Sequence, residues 1–436
     1  MDTSSSSSPS HATATDAGDA PPTVVVQFRE GLVDTVVIEN CERTAPIVIA
    51  NEFAAASIQD MDSIEGVYAA LQDVHDALMS LGAFNAVNIV LDEHADSPGK
   101  LSVKCTVAEK NVFGLQAGTY VQGDQGTIEA SGHVRNVMGR CETIAATVEQ
   151  GLVNNTYQAS LAVPRLKQKP WHLDLKASQT FTSNAKWASY VERMRSASVT
   201  LLSEDGTRSA GYELGWRTLS DPSGAASPSI VAHLGESIKS AATLTFAANG
   251  AVTSIEVGGL MDYVKASVSS GVDVELSESA EIVIEGSAGV IAGGAARVCP
   301  SDRFHLGGIA PWGSMRAFHV HGVGPSDRRR KRLAGGRMYD TLGGTCLCSL
   351  FGALRFDLPS PLLQAVGMRG QVFLQAGVLE NGVKQAAVLR NWRSSVGVGV
   401  TVPTVLGTLE LNVCTTLKSK AGDEVKRGLQ FGLTPL

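Results

Sequence analysis

The side chains of this sequence that could do chemistry crowd between residues 297 and 337. Cys299, His305, His319 and His321 are donor types that bind metal, but no neighbouring acid or paired cysteine completes a coordination set, so no metal site is expected. Asp327 opens the run Arg328-Arg329-Arg330-Lys331-Arg332, which would suit a polyanion. Within a long loop that run reads as solvated charge, with anionic lipid headgroups the functional second choice. Asn154-Asn155-Thr156 matches a glycosylation acceptor, a chemistry of the secretory pathway. No GxSxG, P-loop or HExxH motif occurs, and neither an enzyme nor a cofactor is expected.

Composition narrows the alternatives. The chain has 436 residues, of which 18% are charged and 45 are glycine. That charge is below the ~25% usual for soluble domains, and Gly, Ser, Thr, Val and Ala in abundance suit strands and turns. A net charge of −7 argues against nucleic acid as the main partner, since phosphates demand a basic surface. Seven cysteines, an odd number without CxxC spacing, read as free thiols. There is no run of about 20 apolar residues, so transmembrane helices are not expected, whereas barrel strands would leave only a weak hydropathy trace. Residues 1–22 are rich in Ser, Thr and Asp, lack Lys and Arg, and read as a disordered tail rather than a secretory signal or presequence.

Two kinds of periodicity follow. Over residues 23–110 the order is β-α-α-β-β. Val33 to Ile38 is β-branched and extended, and Ile47 to Ile58 suits a short helix. Ile64, Val67, Tyr68, Leu71, Val74, Leu78 and Leu81 keep helical spacing, with Asp62 and Glu65 in a capping-box-like pattern and Gly82 as the terminal glycine. Val87–Leu91 and Leu101–Val107 alternate, with a turn at residues 96–99. From residue 111 onward, alternating segments recur between Gly/Asn/Asp/Ser turns, among them those at 123–126, 154–155 and 204–206. They include Phe113–Val121, Ala197–Leu202, Ala266–Leu276 and Ala280–Ile291, and about 16 are counted. A soluble sandwich alternates too, but 300 residues without a helical break favour a membrane barrel. Within Ala266–Leu276, the mostly apolar face of Ala266, Val268, Ser270, Val272, Val274 and Leu276 suits lipid, and Ser267, Ser269, Gly271, Asp273 and Glu275 suit a wet lumen.

At about residues 297–337 the alternation stops, and a stretch that long without elements is usually functional or disordered. It holds Arg303-Phe304-His305-Leu306-Gly307-Gly308, then Arg316-Ala317-Phe318, then Gly322-Val323-Gly324-Pro325. This order resembles the RF-x-LGG, (V/I)RGF and GxGP loop of the outer-membrane barrel-assembly superfamily. Residues 23–110, including Leu81-Gly82-Ala83-Phe84, resemble its polypeptide-transport-associated (POTRA) domain, and Gly343-Gly344, Pro359, Pro361 and Ser394–Val400 agree in order. Lys426-Arg427-Gly428-Leu429-Gln430-Phe431-Gly432-Leu433 resembles the β-signal of the mitochondrial branch, the sorting and assembly machinery.

The resemblance implies an all-β transmembrane barrel of about 16 antiparallel strands over 111–436, preceded by one small α/β domain. It implies a loop folded into the lumen, with Arg303, Phe304, Gly307, Gly308, Arg316, Phe318, Gly324 and Pro325 as its motif and Arg316 held against the inner wall. Ala317 departs from the family's glycine, so a positive φ there would cost more. Where bacterial relatives place acids, this chain has Arg355 and Gln375, leaving Asp340, Asp357, or carbonyls with a glutamine as partners of Arg316. Hydrocarbon cannot satisfy an open strand edge, so an insertase needs one seam that opens. The expected seam joins the first and last strands through Phe113, Gly118, Val121, Gly428, Phe431, Gly432 and Leu433. The expected function is insertion of precursor β-barrel proteins into the mitochondrial outer membrane, with the small domain facing the intermembrane space. Expected partners are those precursors, accessory outer-membrane assembly subunits and the lipid bilayer. A translocating pore of the same superfamily and a soluble β-rich binding module are the alternatives.

Overall fold

A computed structural model describes residues 12–14, 23–27, 32–61, 63–93, 99–122, 125–151, 153–166, 169, 171–259, 262–293, 298–309, 313–332, 337–382, 390–404 and 407–434. The expected turn residues 96–98 and 123–124, Asp62, the loop start at 297 and the chain end at 435–436 lie outside the described residues. The backbone packs as two compact units, residues 1–116 with 131–146 and 159–175, and residues 117–130 with 147–158 and 176–436.

The first strands are β1 (Ala12–Ala14), β2 (Val24–Gln27) and β3 (Val33–Glu39), followed by helices α1 (Pro46–Ala55) and α2 (Ile64–Ser80), then β4 (Phe84–Glu93) and β5 (Leu101–Glu109). They form a sheet ordered β1-β2-β3-β5-β4, with β3 and β5 parallel. Helix α2 buries Val67, Ala70, Leu71, Val74 and Leu78, the spacing of one helical face. Those side chains share a core with Ile49 and Phe53 of α1 and with Val36, Ile38, Val103 and Cys105 of the sheet. The α2 cap differs from expectation. Ser63, not an Asp62–Glu65 box, is the N-cap and accepts the Gly66 N–H at 3.1 Å, while Gly82 (φ 74°) ends the helix in the left-handed region as expected. Two short strands were not foreseen. β1 falls inside the segment read as a tail, and β2 extends the sheet beyond the expected β-α-α-β-β order. Within the same unit, Glu52 of α1 makes a two-bonded pair with Arg165 at 2.8 and 2.9 Å, and Asn136 donates to Thr44.

The remaining long strands are β6 (Phe113–Gln122), β7 (Gln125–Arg135), β8 (Thr143–Gly151), β9 (Asn155–Val163), β10 (Trp171–Ser183), β11 (Val191–Ser203), β12 (Arg208–Ser220), β13 (Gly235–Ala248), β14 (Ala251–Gly258), β15 (Tyr263–Ser277) and β16 (Ala280–Gly293). After a long loop holding the short pair β17 (Ser326–Arg328) and β18 (Tyr339–Thr341) come β19 (Cys346–Asp357), β20 (Arg369–Glu380), β21 (Arg393–Thr404), β22 (Gly407–Lys418) and β23 (Gly428–Thr434). Apart from β17 and β18 these make one 16-stranded sheet, running from β23 back to β6, in which β16 pairs directly with β19.

Period-two alternation sorts the side chains of this sheet. Trp216, Ile238 and Leu429 are each 63% exposed on one face, and Val268, Val272, Val274 and Leu276 of β15 are exposed with them. On the other face Lys265 and Ser267 of β15 help to line a cavity of about 430 Å³. Most strands extend past their expected ends. β11 begins at Val191 rather than Ala197, because Glu192, Arg193 and Arg195 are strand residues despite their charge.

Candidate functional site

The loop between β16 and β19 folds on itself before it touches the sheet. Isolated bridges pair Phe304 with Gly344, Leu306 with Val323 and Gly308 with Met315. Phe304, Leu306, Met315, Phe318 and Val323 share a small apolar core with Leu347 of β19 and Leu379 of β20. Two motif glycines are needed for the close approach. At Gly307 (φ 130°) a Cβ would sit 2.4 Å from the His319 carbonyl oxygen, and at Gly324 (φ 114°) 2.6 Å from the Leu379 side chain. Pro325 follows and accepts the Leu342 N–H at 2.9 Å, and Gly308 exchanges backbone bonds with Met315.

The first half of the motif is gripped by strands β11 to β15. Arg303 turns back on its own loop, donating to the Val298 carbonyl at 2.9 and 3.1 Å. Phe304 packs over Gly289 of β16, with the Lys265 ammonium 4.9 Å from its ring centroid. Asp302, which sequence reasoning passed over, carries the attachment. Its carboxylate accepts two bonds from Arg217 of β12 at 2.7 and 2.8 Å, and its carbonyl accepts from Lys265 Nζ. Glu192 of β11 pairs with the same guanidinium at 2.7 Å. Burial alone would raise the Asp302 pKa, but the bonds and charge of Arg217 more than offset this and lower it. An acid beside the motif arginine was the available signal.

The second half lies against β20 to β23. Arg316 donates from Nε and Nη2 to the two carboxylate oxygens of Glu410 on β22, at 2.9 and 2.7 Å. Its guanidinium carbon lies 4.2 Å from the Phe351 ring centroid and 5.3 Å from that of Phe373, so the cation is also held over aromatic faces. Asn412 donates to Glu410, and Gln371 of β20 donates to Asn412. This corrects the expected partners. Asp340 instead pairs with Arg329 at 2.8 Å, and Asp357 pairs with Arg369 at the far end of β19. Gln375 does meet the motif, but through its Oε1, which accepts the Arg316 backbone N–H at 2.9 Å. Ala317 has φ 69°, the positive value a glycine would have eased.

Phe318 is fully buried and bridges to Val425, just before β23. Of the expected gate residues, Gly428 (φ 93°) opens β23, Phe431 is exposed on its outer face, and Gly432 faces Ile309 of the loop. Leu433 pairs in register with Leu409. Phe113 begins β6 and is exposed, and Gly118 and Val121 follow on that strand. β6 and β23 stand at opposite ends of the strand order.

The discounted residues prove partly structural. His305 stacks on His321 with ring centroids 4.3 Å apart, and its Nε2 donates to the Pro300 carbonyl. The described residues contain no group of three or more His, Cys, Asp or Glu placed to hold a metal. The basic run is not uniformly solvated. Arg328, Arg330, Lys331 and Arg332 are exposed, but Arg329 turns inward and is buried against Asp340.

Within the second unit this loop therefore touches strands from β11 to β23, and the sheet there wraps around it. Residues 246–434, which include the loop, match the Omp85 superfamily domain. Sequence relatives include a SAM50-like protein of Schizosaccharomyces pombe, 25% identical over 397 residues, covering 83% of this chain and 81% of that one. Sorting and assembly machinery component 50 homologues of Bos taurus and Homo sapiens are 25% and 24% identical over 456 aligned positions, covering 94% of this chain and 91% of theirs. BamA from Haemophilus ducreyi lacking POTRA domains 1–3 superposes with a TM-score of 0.71 at 16% identity, over 97% of this chain and 88% of that one. CdiB from Acinetobacter baumannii superposes with a TM-score of 0.51 at 12% identity, over 93% and 72%. Those two likenesses speak for the fold, a POTRA-like domain and a 16-stranded membrane barrel, while the sequence relatives speak for descent. By sequence this chain is thus a homologue of the Omp85-superfamily barrel-assembly proteins of the sorting and assembly machinery type.

Proposed function

We propose that this chain inserts precursor β-barrel proteins into the mitochondrial outer membrane. In this reading residues 111–436 form the barrel, and residues 23–110, with β1 added at the edge of their sheet, receive clients in the intermembrane space. Accessory outer-membrane subunits assist. The client enters at a seam between β6 and β23, the two ends of the strand order, with Phe113, Gly118, Val121, Gly428, Phe431, Gly432 and Leu433 as the gate. The motif residues Arg303, Phe304, Gly307, Gly308, Arg316, Phe318, Gly324 and Pro325 keep the lumenal loop in place behind it.

The observation that supports this most directly is the seating of the motif loop on the last two strands, through Arg316 to Glu410 and Gln430 to residues 317–318. A strand edge inside hydrocarbon is costly because nothing there bonds its N–H and C=O groups. A client strand arriving at an opened seam satisfies those groups by β-augmentation, and its own folding supplies the driving force. β23, at seven residues, is short beside the twelve of β22, and so is the easiest strand to displace. The test is reconstitution of the full chain in liposomes with an unfolded barrel precursor. The expected product is a protease-protected, heat-modifiable client in the bilayer. Client delivered into the vesicle interior would replace this reading with a translocating pore.

A further inference from the structure

Gln430 lies on β23, 4% exposed, and both ends of its side-chain amide reach the loop, while Oε1 also accepts from Cys414 Sγ of β22 at 3.2 Å and Nε2 also meets the Lys426 carbonyl at 3.4 Å. Oε1 accepts the Ala317 N–H at 2.9 Å, and Nε2 donates to the Phe318 carbonyl at 3.1 Å. The segment leading into β23 is laced to the same stretch. Lys426 N–H donates to the Ala317 carbonyl at 2.9 Å, His319 N–H to the Glu424 carbonyl at 2.9 Å, and Glu424 N–H to the Gly322 carbonyl at 2.7 Å. Two residues along the strand, Gly432 has no side chain, and Ile309 occupies the space. A Cβ at 432 would lie 2.8 Å from the Ile309 Cβ. The loop's other end is fixed to β12 by Asp302 and Arg217. The loop is therefore a strut from the β11–β15 wall to the last two strands, and the Gln430 amide is its side-chain bond to β23.

We propose that Gln430 is a positioning residue that latches the last strand to the loop, and that β23 must come off the loop before a client is inserted. This rests on the insertase reading above. An amide is suited to the task because it fills one donor and one acceptor of the loop backbone at once. A strand sliding by one residue would turn Gln430 to the outer face and lose both bonds together.

A reversible covalent latch tests this. Ile309→Cys with Gly432→Cys puts two thiols across the contact, where a small outward shift of the loop reaches the roughly 3.8 Å Cβ separation of a disulfide. The full chain is reconstituted in liposomes and the 309–432 link is verified by mass spectrometry, with identically oxidised wild type as control. Oxidation should slow insertion of a barrel precursor at least tenfold, and reductant should restore it. Undiminished insertion with the link intact overturns the latch. Failure of the wild type and of the reduced variant to insert any client counts instead against the insertase reading. Hydrogen exchange then still decides the latch. Gln430→Leu roughly keeps the volume and removes both bonds to residues 317–318 along with the weaker ones to Cys414 and Lys426, so exchange at residues 428–434 should rise roughly tenfold while β19 to β21 stay unchanged. No rise at 428–434 overturns the proposal.

Discussion

Arg316 and Glu410 meet in a two-bonded ion pair at 2.7 and 2.9 Å, with both side chains under 5% exposed. A buried pair of this kind is costly to break from one side, because the survivor keeps its charge without compensation. Glu410→Ala should destabilise the barrel by about 3–5 kcal/mol, read as a lower urea midpoint and as new tryptic cleavage at Arg316. The double variant Arg316→Ala/Glu410→Ala should lose less than the sum of the two single changes. Strict additivity would mean that the pair does not hold the loop.

Ala317 should tolerate a change that usually harms. Its φ of 69° carries a left-handed penalty of roughly 1–2 kcal/mol for a residue with a Cβ. Its methyl is fully buried beside Phe351 and Phe373, worth about 0.8 kcal/mol. Replacing it by glycine removes both and adds chain freedom to the unfolded state. Ala317→Gly should therefore change stability by less than about 1 kcal/mol, the usual size of an Ala-to-Gly cost, whereas Ala317→Val should destabilise clearly. Thermal unfolding of both variants in detergent decides it.

The sequence's legibility divides along physical lines. The barrel strands and α2 could be read because period-two and period-3.6 burial leave a trace in every segment, and the loop because its glycines and arginines are tied to a backbone shape. Glu410 could not be read as the partner of Arg316. Alternation puts it on the same face of β22 as Asn412, but which loop residue faces that wall depends on how the sheet curves, and sequence proximity pointed to Asp340 and Asp357. Arg329 was lost by averaging. Five neighbouring cations look alike, yet the β17–β18 ribbon turns one of them onto Asp340. Strand β11 starts at Val191 rather than Ala197, because a wet interior in which Arg217 pairs with Glu192 accommodates that acid in a strand.

The stacked pair of His305 and His321 predicts an acid-sensitive loop. Burial holds the His305 pKa at about 4, helped by the charges of Lys265 and Arg303 and opposed only by its bond to the Pro300 carbonyl. His321, with His305 and Arg337 near it, is held well below the ordinary histidine value by the same cause, and its ring also meets Trp187 edge-on. The folded state thus binds fewer protons than the unfolded chain between about pH 6.5 and 4. Stability is complete above that window and falls as the pH drops through it, by about 1.4 kcal/mol for each tenfold loss of proton affinity. Asp302, with its pKa lowered from the usual carboxylate value, acts only below the window. His305→Gln can still donate to Pro300 but does not titrate, and it should flatten the profile of loop proteolysis between pH 7 and 5. An unchanged profile would place the sensitivity elsewhere.

Arg217 and Asp302 should differ in a direction set by what each leaves behind. Arg217 serves two carboxylates, Glu192 at 2.7 Å and Asp302 at 2.7 Å, and its removal strands both inside the barrel. The cations left near Asp302 are Lys239, at 3.8 Å and already paired with Glu213, and Lys265, whose ammonium bonds the residue 302 carbonyl. Removal of Asp302 leaves Arg217 with Glu192, and the Lys265 bond to the residue 302 carbonyl survives any change of side chain. Arg217→Ala should therefore cost about 3–5 kcal/mol, and Asp302→Ala distinctly less, in urea unfolding of the purified barrel. Arg217→Lys should recover only part of the loss, because an ammonium cannot present two parallel donors to one carboxylate while still reaching the other. If Asp302→Ala proved as damaging as Arg217→Ala, the loop's own attachment, rather than stranded charge, would be the larger contribution at this end of the strut.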